Sequence, residues 1–242
     1  MAAAFGWGLL AASSLVIGAI VAIVVRLPLR VVGLIMGFGA GVLISAVAFD
    51  LVEEASNTAD DSWTVLLGIF AGCIVFFVGD VVIGRMGGGE RKDAGGAQQE
   101  GSALAIVLGT VLDGIPESAV IGLTIFKGGA VGTAYLVAVF ISNLPEAISS
   151  TAGLRAGWSN AKIMGMWIGI AIVSAFASLL GYVAFQNAGS DVVAFVLAFA
   201  AGAILTMLAD TMFPEAYENG GKLVGIVTTL GFAVAFTIHT LD

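Results

Sequence analysis

The chain has 242 residues, of which 59% are hydrophobic and 11% charged, with 34 glycines, one histidine and one cysteine. Its mean hydropathy of +1.07 lies far from that of a soluble domain and identifies a polytopic membrane protein. The net charge of −8 calls for no nucleic-acid or acidic-lipid partner, and the lone Cys73, in an apolar run, leaves no basis for a disulfide or a thiolate metal cluster.

Eight apolar runs follow one another at 5–27, 31–52, 63–84, 103–126, 131–154, 161–185, 192–213 and 222–240, each close to the ~20 residues that a spanning helix needs. The expected fold is therefore all-α, a single transmembrane domain over 1–242 built as a bundle of eight helices. The first run has no basic segment ahead of it and meets its first positive residue, Arg26, at its far end. That is the reverse of a cleavable signal, so the run reads as a permanent helix.

The basic residues set the topology. Arg26 and Arg30 bracket the first connection, Arg85, Arg91 and Lys92 the third, Arg155 and Lys162 the fifth, and Lys222 lies in the seventh, whereas only Lys127 falls on the opposite side. The positive-inside rule makes the odd connections cytoplasmic and both termini external. Residues 85–102, rich in Gly, Gln and charge, read as a flexible cytoplasmic loop between two halves. Compactness and an Ala/Gly/Val-rich composition fit a bacterial plasma (inner) membrane. Trp7, Trp63, Trp158 and Trp167 fall toward span ends, as interfacial anchors do. The spacings Gly37/Gly41 and Gly165/Gly169 put small residues on one face for close helix approach, within the bundle or at a homodimer seam.

Two internal repeats stand out. Phe38 to Ala55 (FGAGVLISAVAFDLVEEA) aligns without a gap on Phe199 to Ala216 (FAAGAILTMLADTMFPEA), and DGIPESA at 113–119 resembles SNLPEAI at 142–148. The second span therefore repeats in the seventh and the fourth in the fifth, with opposite orientation in each pair. Antiparallel repeats around a mid-membrane site are a recurrent transporter plan.

Within the repeats a short polar or acidic residue precedes a glutamate by four positions, at Asp50/Glu54, Asp113/Glu117, Ser142/Glu146 and Thr211/Glu215. Such pairs share one helical face. Asp113, Glu117, Ser142, Asn143 and Glu146 fall near the middle of their spans, where an ionised carboxylate costs roughly 2.5 kcal/mol or more unless it lines a water path or holds a cation. Asp50 and Glu54 are expected to end the second span outside, and Asp210 and Glu215 to end the seventh inside, as pathway entry and exit. Pro116 and Pro145 free the carbonyls of Leu112 and Ile141 as further oxygen ligands. This all-oxygen shell suits Mg²⁺, Ca²⁺ or Mn²⁺ better than soft ions. The structural alternative is that the acids hydrogen-bond across helices as protonated pairs.

On these motifs the chain resembles the ZIP (Zrt/Irt-like) family of divalent-metal transporters over nearly its whole length. The family's His-Asn-x-Pro-Glu-Gly in the fourth helix matches Asp113-Gly114-Ile115-Pro116-Glu117-Ser118, and its polar-polar-x-Pro-Glu-Gly in the fifth matches Ser142-Asn143-Leu144-Pro145-Glu146-Ala147. The resemblance implies that Glu117 and Glu146 bridge metal and that Asp113 replaces a histidine ligand. It also implies departures: a sixth-helix glutamate falls at Ser178, and the seventh-helix histidine is lost at Asp210-Thr211-Met212-Phe213-Pro214-Glu215. The only histidine, His239, reads as interfacial.

The expected function is transport of Zn²⁺, Mn²⁺, Fe²⁺ or a similar divalent ion, with the ion as substrate, the bilayer as solvent and no organic cofactor. The alternative is a transport-inactive scaffold repurposed to bind a partner or lipid. An enzyme is not expected: there is no His-Glu-x-x-His motif, no serine within reach of the one histidine, and no aspartate opposite Asp113 in the fifth span.

Overall fold

The computed structural model describes residues 1–88, 103–128, 133–155 and 157–241, and among them the chain forms eight long helices. They are α1 (Ala2–Val24), α2 (Leu29–Thr58), α3 (Ser62–Met86), α4 (Ala103–Gly128), α5 (Thr133–Leu154), α6 (Asn160–Phe185), α7 (Ser190–Gly220) and α8 (Leu223–Leu241). Seven are long and apolar enough to cross a membrane. The eighth, α5, is less apolar because it carries Ser142, Asn143, Glu146, Ser149, Ser150 and Thr151.

Local chemistry sets the boundaries. Pro28 stands at the N-cap of α2, where its missing N–H costs nothing. The Asp61 carboxylate accepts from the Thr64 N–H at 2.9 Å to cap α3, and Ser159 caps α6 through the Lys162 N–H. Gly221 at φ 66° ends α7, a conformation that glycine adopts without Cβ strain. The loop expected over 85–102 starts differently: Gly84–Gly88 continues the third helix as a π turn, and 89–102, with Arg91 and Lys92, lie outside the described residues.

The helices form two sets. One joins α2 to α8 and α3 to α7; the other joins α1 to α5 and α6, and α4 to α6. Glycines carry the closest contacts. A Cβ on Gly41 would collide with the Thr228 carbonyl oxygen, and one on Gly231 with that of Phe38, so α2 and α8 touch backbone to backbone. The same reciprocal arrangement joins α7 to α3, through Gly202 against Ile69 and Gly72 against Phe199. Gly41 and Gly202 occupy matched positions of the sequence repeat, as do Phe38 and Phe199. The repeat is thus one packing unit used twice.

Both copies also share a backbone irregularity. Ala46–Glu53 in α2 and Leu208–Met212 in α7 are π-helical, and the two segments overlap when the repeats are aligned. After the π turn each helix resumes α geometry, to Thr58 and to Gly220. Asp50, Glu54, Asp210 and Glu215 therefore do not end their helices as expected. They lie inside them, because Leu51, Ala55, Met212 and Ala216 keep the continuing turns packed.

Two further expectations change. Trp167 is not an interfacial anchor: it is fully buried, and its Nε1–H donates to Thr151 Oγ1 at 2.8 Å. The two glycine pairs also differ in role. Gly37 and Gly41 pack on α8, whereas Gly165 and Gly169 face nothing within 4 Å.

Candidate metal centre

The two Pro-Glu motifs sit in the middle of α4 and α5, and neither proline ends its helix. Every residue of the expected central group is buried: Asp113, Glu117, Ser142, Asn143 and Glu146 are between 2% and 7% exposed. The burial follows from the fold. The α4–α5 motifs lie where the two helix sets meet, with α2 packed on α5 and α7 packed on α4.

On α5 the approach of α2 is set by Gly39. A Cβ at that position would come 3.1 Å from Pro145 Cγ and 3.4 Å from the Ser142 Cα. The Ile141 carbonyl oxygen, freed by Pro145, would lie 3.8 Å from the same added Cβ, so α2 covers it. The Ser142 hydroxyl donates to the Val139 carbonyl at 3.0 Å. Its oxygen lone pairs remain the acceptor side of the group.

On α4, Tyr135 of α5 donates its hydroxyl to the Glu117 carbonyl at 3.5 Å. Tyr135 is itself buried, and Asp50 of α2 and Glu117 both lie within electrostatic reach of it. One buried phenol thus feels the charge of an acid on each of α2 and α4. Behind α4, a Cβ on Gly114 would sit 3.5 Å from Ser174 Oγ of α6. Ser178, matched above to a glutamate ligand, plays a packing role instead. Its hydroxyl donates to the Ala4 carbonyl of α1 at 2.9 Å, and its own carbonyl lies against Gly122 of α4.

The four residues expected at pathway entry and exit divide. Asp50 is partly buried, with Oδ1 2.8 Å from His239 Nδ1 of α8, and the imidazole stacks on Phe49 at 5.5 Å. Glu54, one turn on, accepts from the Thr58 hydroxyl at 3.4 Å. Glu215 of α7 is buried and accepts from the Ser149 hydroxyl of α5, while Asn219 Nδ2 donates to its backbone carbonyl at 3.0 Å. Asp210 is exposed. The two acids of α7 thus differ, Asp210 being exposed and Glu215 buried.

Among the described residues, no three His, Cys, Asp or Glu side chains lie close enough to hold one metal ion by themselves. A metal ion at the central group would need hydroxyl, amide or carbonyl oxygens as well as carboxylates. The sequence reading missed several of the buried polar groups near these motifs, among them Tyr135, Ser149 and Ser174. Tyr135, Ser142, Glu146 and Ser149 recur at helical spacings of seven, four and three, so the face already drawn through Ser142 and Glu146 extends to both. Ser174 carries no such signal, because only the packing of α6 on Gly114 brings it near.

No family model matches the chain. Over 231 residues, 93% of its length, it is 26% identical to an Arabidopsis thaliana protein named "Putative zinc transporter". The chain spans 36% of the length of that relative.

Proposed function

We propose that this chain transports a divalent metal ion across a cell membrane, with Glu117 and Glu146 as the principal carboxylate ligands and Asp113, Ser142 and Asn143 completing an oxygen shell. The observation that carries the reading is the burial of these five polar side chains in the middle of two long helices that each contain a proline. Glu117 and Glu146 balance the charge of one divalent ion, which lowers the cost of placing either in a low-dielectric interior, and the third acid, Asp113, calls for a proton or a second ion. The name of the Arabidopsis thaliana relative and the resemblance of the Pro-Glu motifs to the ZIP family point the same way.

In this reading Asp50 and Glu54 receive the ion from the outside, and Asp210 and Glu215 pass it inward. The odd connections are cytoplasmic and both termini external. Access alternates when α1, α4, α5 and α6 move as a body against α2, α3, α7 and α8, across the surface where the acids meet. Zn²⁺, Mn²⁺ and Fe²⁺ are the candidate cargoes, and a shell without histidine or cysteine favours the oxygen-liking ions among them.

The alternative, a scaffold that no longer transports, draws on the packing role of Ser178 and the lack of a three-acid cluster among the described residues. Uptake into proteoliposomes decides between them, comparing Zn²⁺, Mn²⁺, Fe²⁺, Co²⁺ and Mg²⁺ for the native chain and for Glu117→Gln/Glu146→Gln. Flux of one ion that vanishes in the double variant supports transport. Folded protein that moves none of them overturns it.

A further inference from the structure

The chain leaves α1 at Val24, runs extended through Val25 to Pro28 and enters α2. Arg155, just past the end of α5, reaches across to this turn, where its Nη1 donates to the Ala22 carbonyl at 2.8 Å. Between the turn and α5 lies an open cleft of about 390 Å³. Arg26 and Arg155 stand on its rim, Val25, Leu27 and Leu29 form an apolar wall, and Ile148 lines it from α5. No acidic residue lines the cleft, and among the described residues neither guanidinium is paired with a carboxylate.

That combination selects a ligand chemistry. A guanidinium carries five N–H donors, and Ala22 takes only one of those on Arg155. The remaining donors, joined by those of Arg26, make two forks whose geometry matches the oxygens of a phosphate. A divalent cation is repelled by the same pair, so the cleft does not serve the ion pathway. Its position, where apolar helices give way to their connection, is the depth of a phospholipid head group, and basic pockets between helices at that depth bind anionic head groups. The overall charge of −8 does not oppose this, because a ligand in the cleft meets the local pair of arginines first.

We propose that the cleft between the α1–α2 turn and the end of α5 is a binding site for a phosphate-bearing anion, with Arg26 and Arg155 as the ligating residues. An anionic phospholipid fits it fully, since its acyl chains find the wall of Val25, Leu27 and Leu29; free phosphate shares the polar half of the chemistry.

The test is thermal unfolding of the purified full chain in neutral detergent. Short-chain phosphatidylglycerol, phosphatidylcholine and inorganic phosphate are added separately to the native chain, Arg26→Gln and Arg26→Gln/Arg155→Gln. At saturation phosphatidylglycerol raises the native midpoint by about 5 °C. The shift shrinks in Arg26→Gln and disappears in the double variant. Arg26→Gln removes no hydrogen bond among the described residues, so it separates binding from folding even if loss of the Arg155–Ala22 bond weakens the double variant. An arginine-dependent shift with inorganic phosphate alone keeps the site and makes free phosphate its source. The proposal is overturned if the native chain shows no shift, if Arg26→Gln responds as fully as the native chain, or if phosphatidylcholine does as well as phosphatidylglycerol.

Discussion

His239 Nδ1 lies 2.8 Å from Asp50 Oδ1, joining the end of α8 to the π segment of α2. The chain's one imidazole is thereby tied to an acid of the α2 π segment, with its ring held on Phe49. Asp50→Asn, His239→Gln and the double variant form a thermal-unfolding cycle that measures this bond. A coupling of about 0.5–1.5 kcal/mol is expected, the range for a partly exposed charge-assisted pair. Additive single effects would dissolve the pair. Under the transport reading both single variants also raise the KM for ion uptake more than they lower turnover, because Asp50 acts at entry.

Glu215 is buried and hydrogen-bonded across the two helix sets, to Ser149 of α5. Ser149→Ala deletes that donor and is expected to cost about 1–3 kcal/mol in unfolding free energy. Glu215→Gln keeps an oxygen acceptor for the hydroxyl and so retains most of the stability, yet it removes the charge that attracts a cation. Ion flux should therefore fall at least tenfold in Glu215→Gln while its unfolding midpoint moves little. Equal loss of flux and stability in both variants would assign Glu215 to packing alone.

Glycine substitutions separate helix contacts that spacing alone does not distinguish. At Gly41 and Gly202 an added methyl meets a backbone carbonyl of the partner helix, which has no side chain to turn aside. Alanine at either site is expected to cost about 3 kcal/mol or to prevent folding. Gly165→Ala and Gly169→Ala meet nothing within 4 Å and should instead gain about 0.5–1 kcal/mol of helix stability each. Folded yield and unfolding midpoint in one detergent rank all four. Parity between the pairs would refute the backbone contact.

The sequence carries the helices and the repeat because both rest on patterns written along the chain: apolar length, Pro-Glu spacing and matched small residues. It does not carry the π turns. Ala46–Glu53 contains neither proline nor glycine, and only Pro214, just past the second π segment, hints at the irregular backbone. Hydropathy also stops α2 and α7 early, because Glu53, Glu54, Glu215 and Glu218 read as water-facing although Leu51, Ala55 and Ala216 beside them are buried. Ser178 shows the other limit. Its match to a glutamate position is a one-dimensional statement, whereas its hydroxyl is held by the Ala4 carbonyl of a helix more than 170 residues away. His239 and Asp50, 189 residues apart, are of the same kind.

Under the transport reading, metal preference follows from which donors are present. The central group offers carboxylate, hydroxyl and amide oxygens from Asp113, Glu117, Ser142, Asn143 and Glu146, with no thiolate and no imidazole among them. Zinc gains most from nitrogen and sulfur ligands, whereas Mn²⁺ and Mg²⁺ are served well by oxygen alone. An all-oxygen site therefore narrows the advantage that Zn²⁺ ordinarily holds over Mn²⁺. Competition in proteoliposomes tests this directly, with Mn²⁺ uptake measured against rising Zn²⁺ for the native chain and for Asp113→His/Gly114→Asn, which restores the nitrogen and amide donors of the resembled motif. The native chain should require Zn²⁺ at about the same concentration as Mn²⁺ for half-inhibition, and the double variant should require about tenfold less, a change of about 1.4 kcal/mol in relative affinity. Tight Zn²⁺ binding by the native chain, with Mn²⁺ ignored, would show that the ion is held by groups outside this oxygen set.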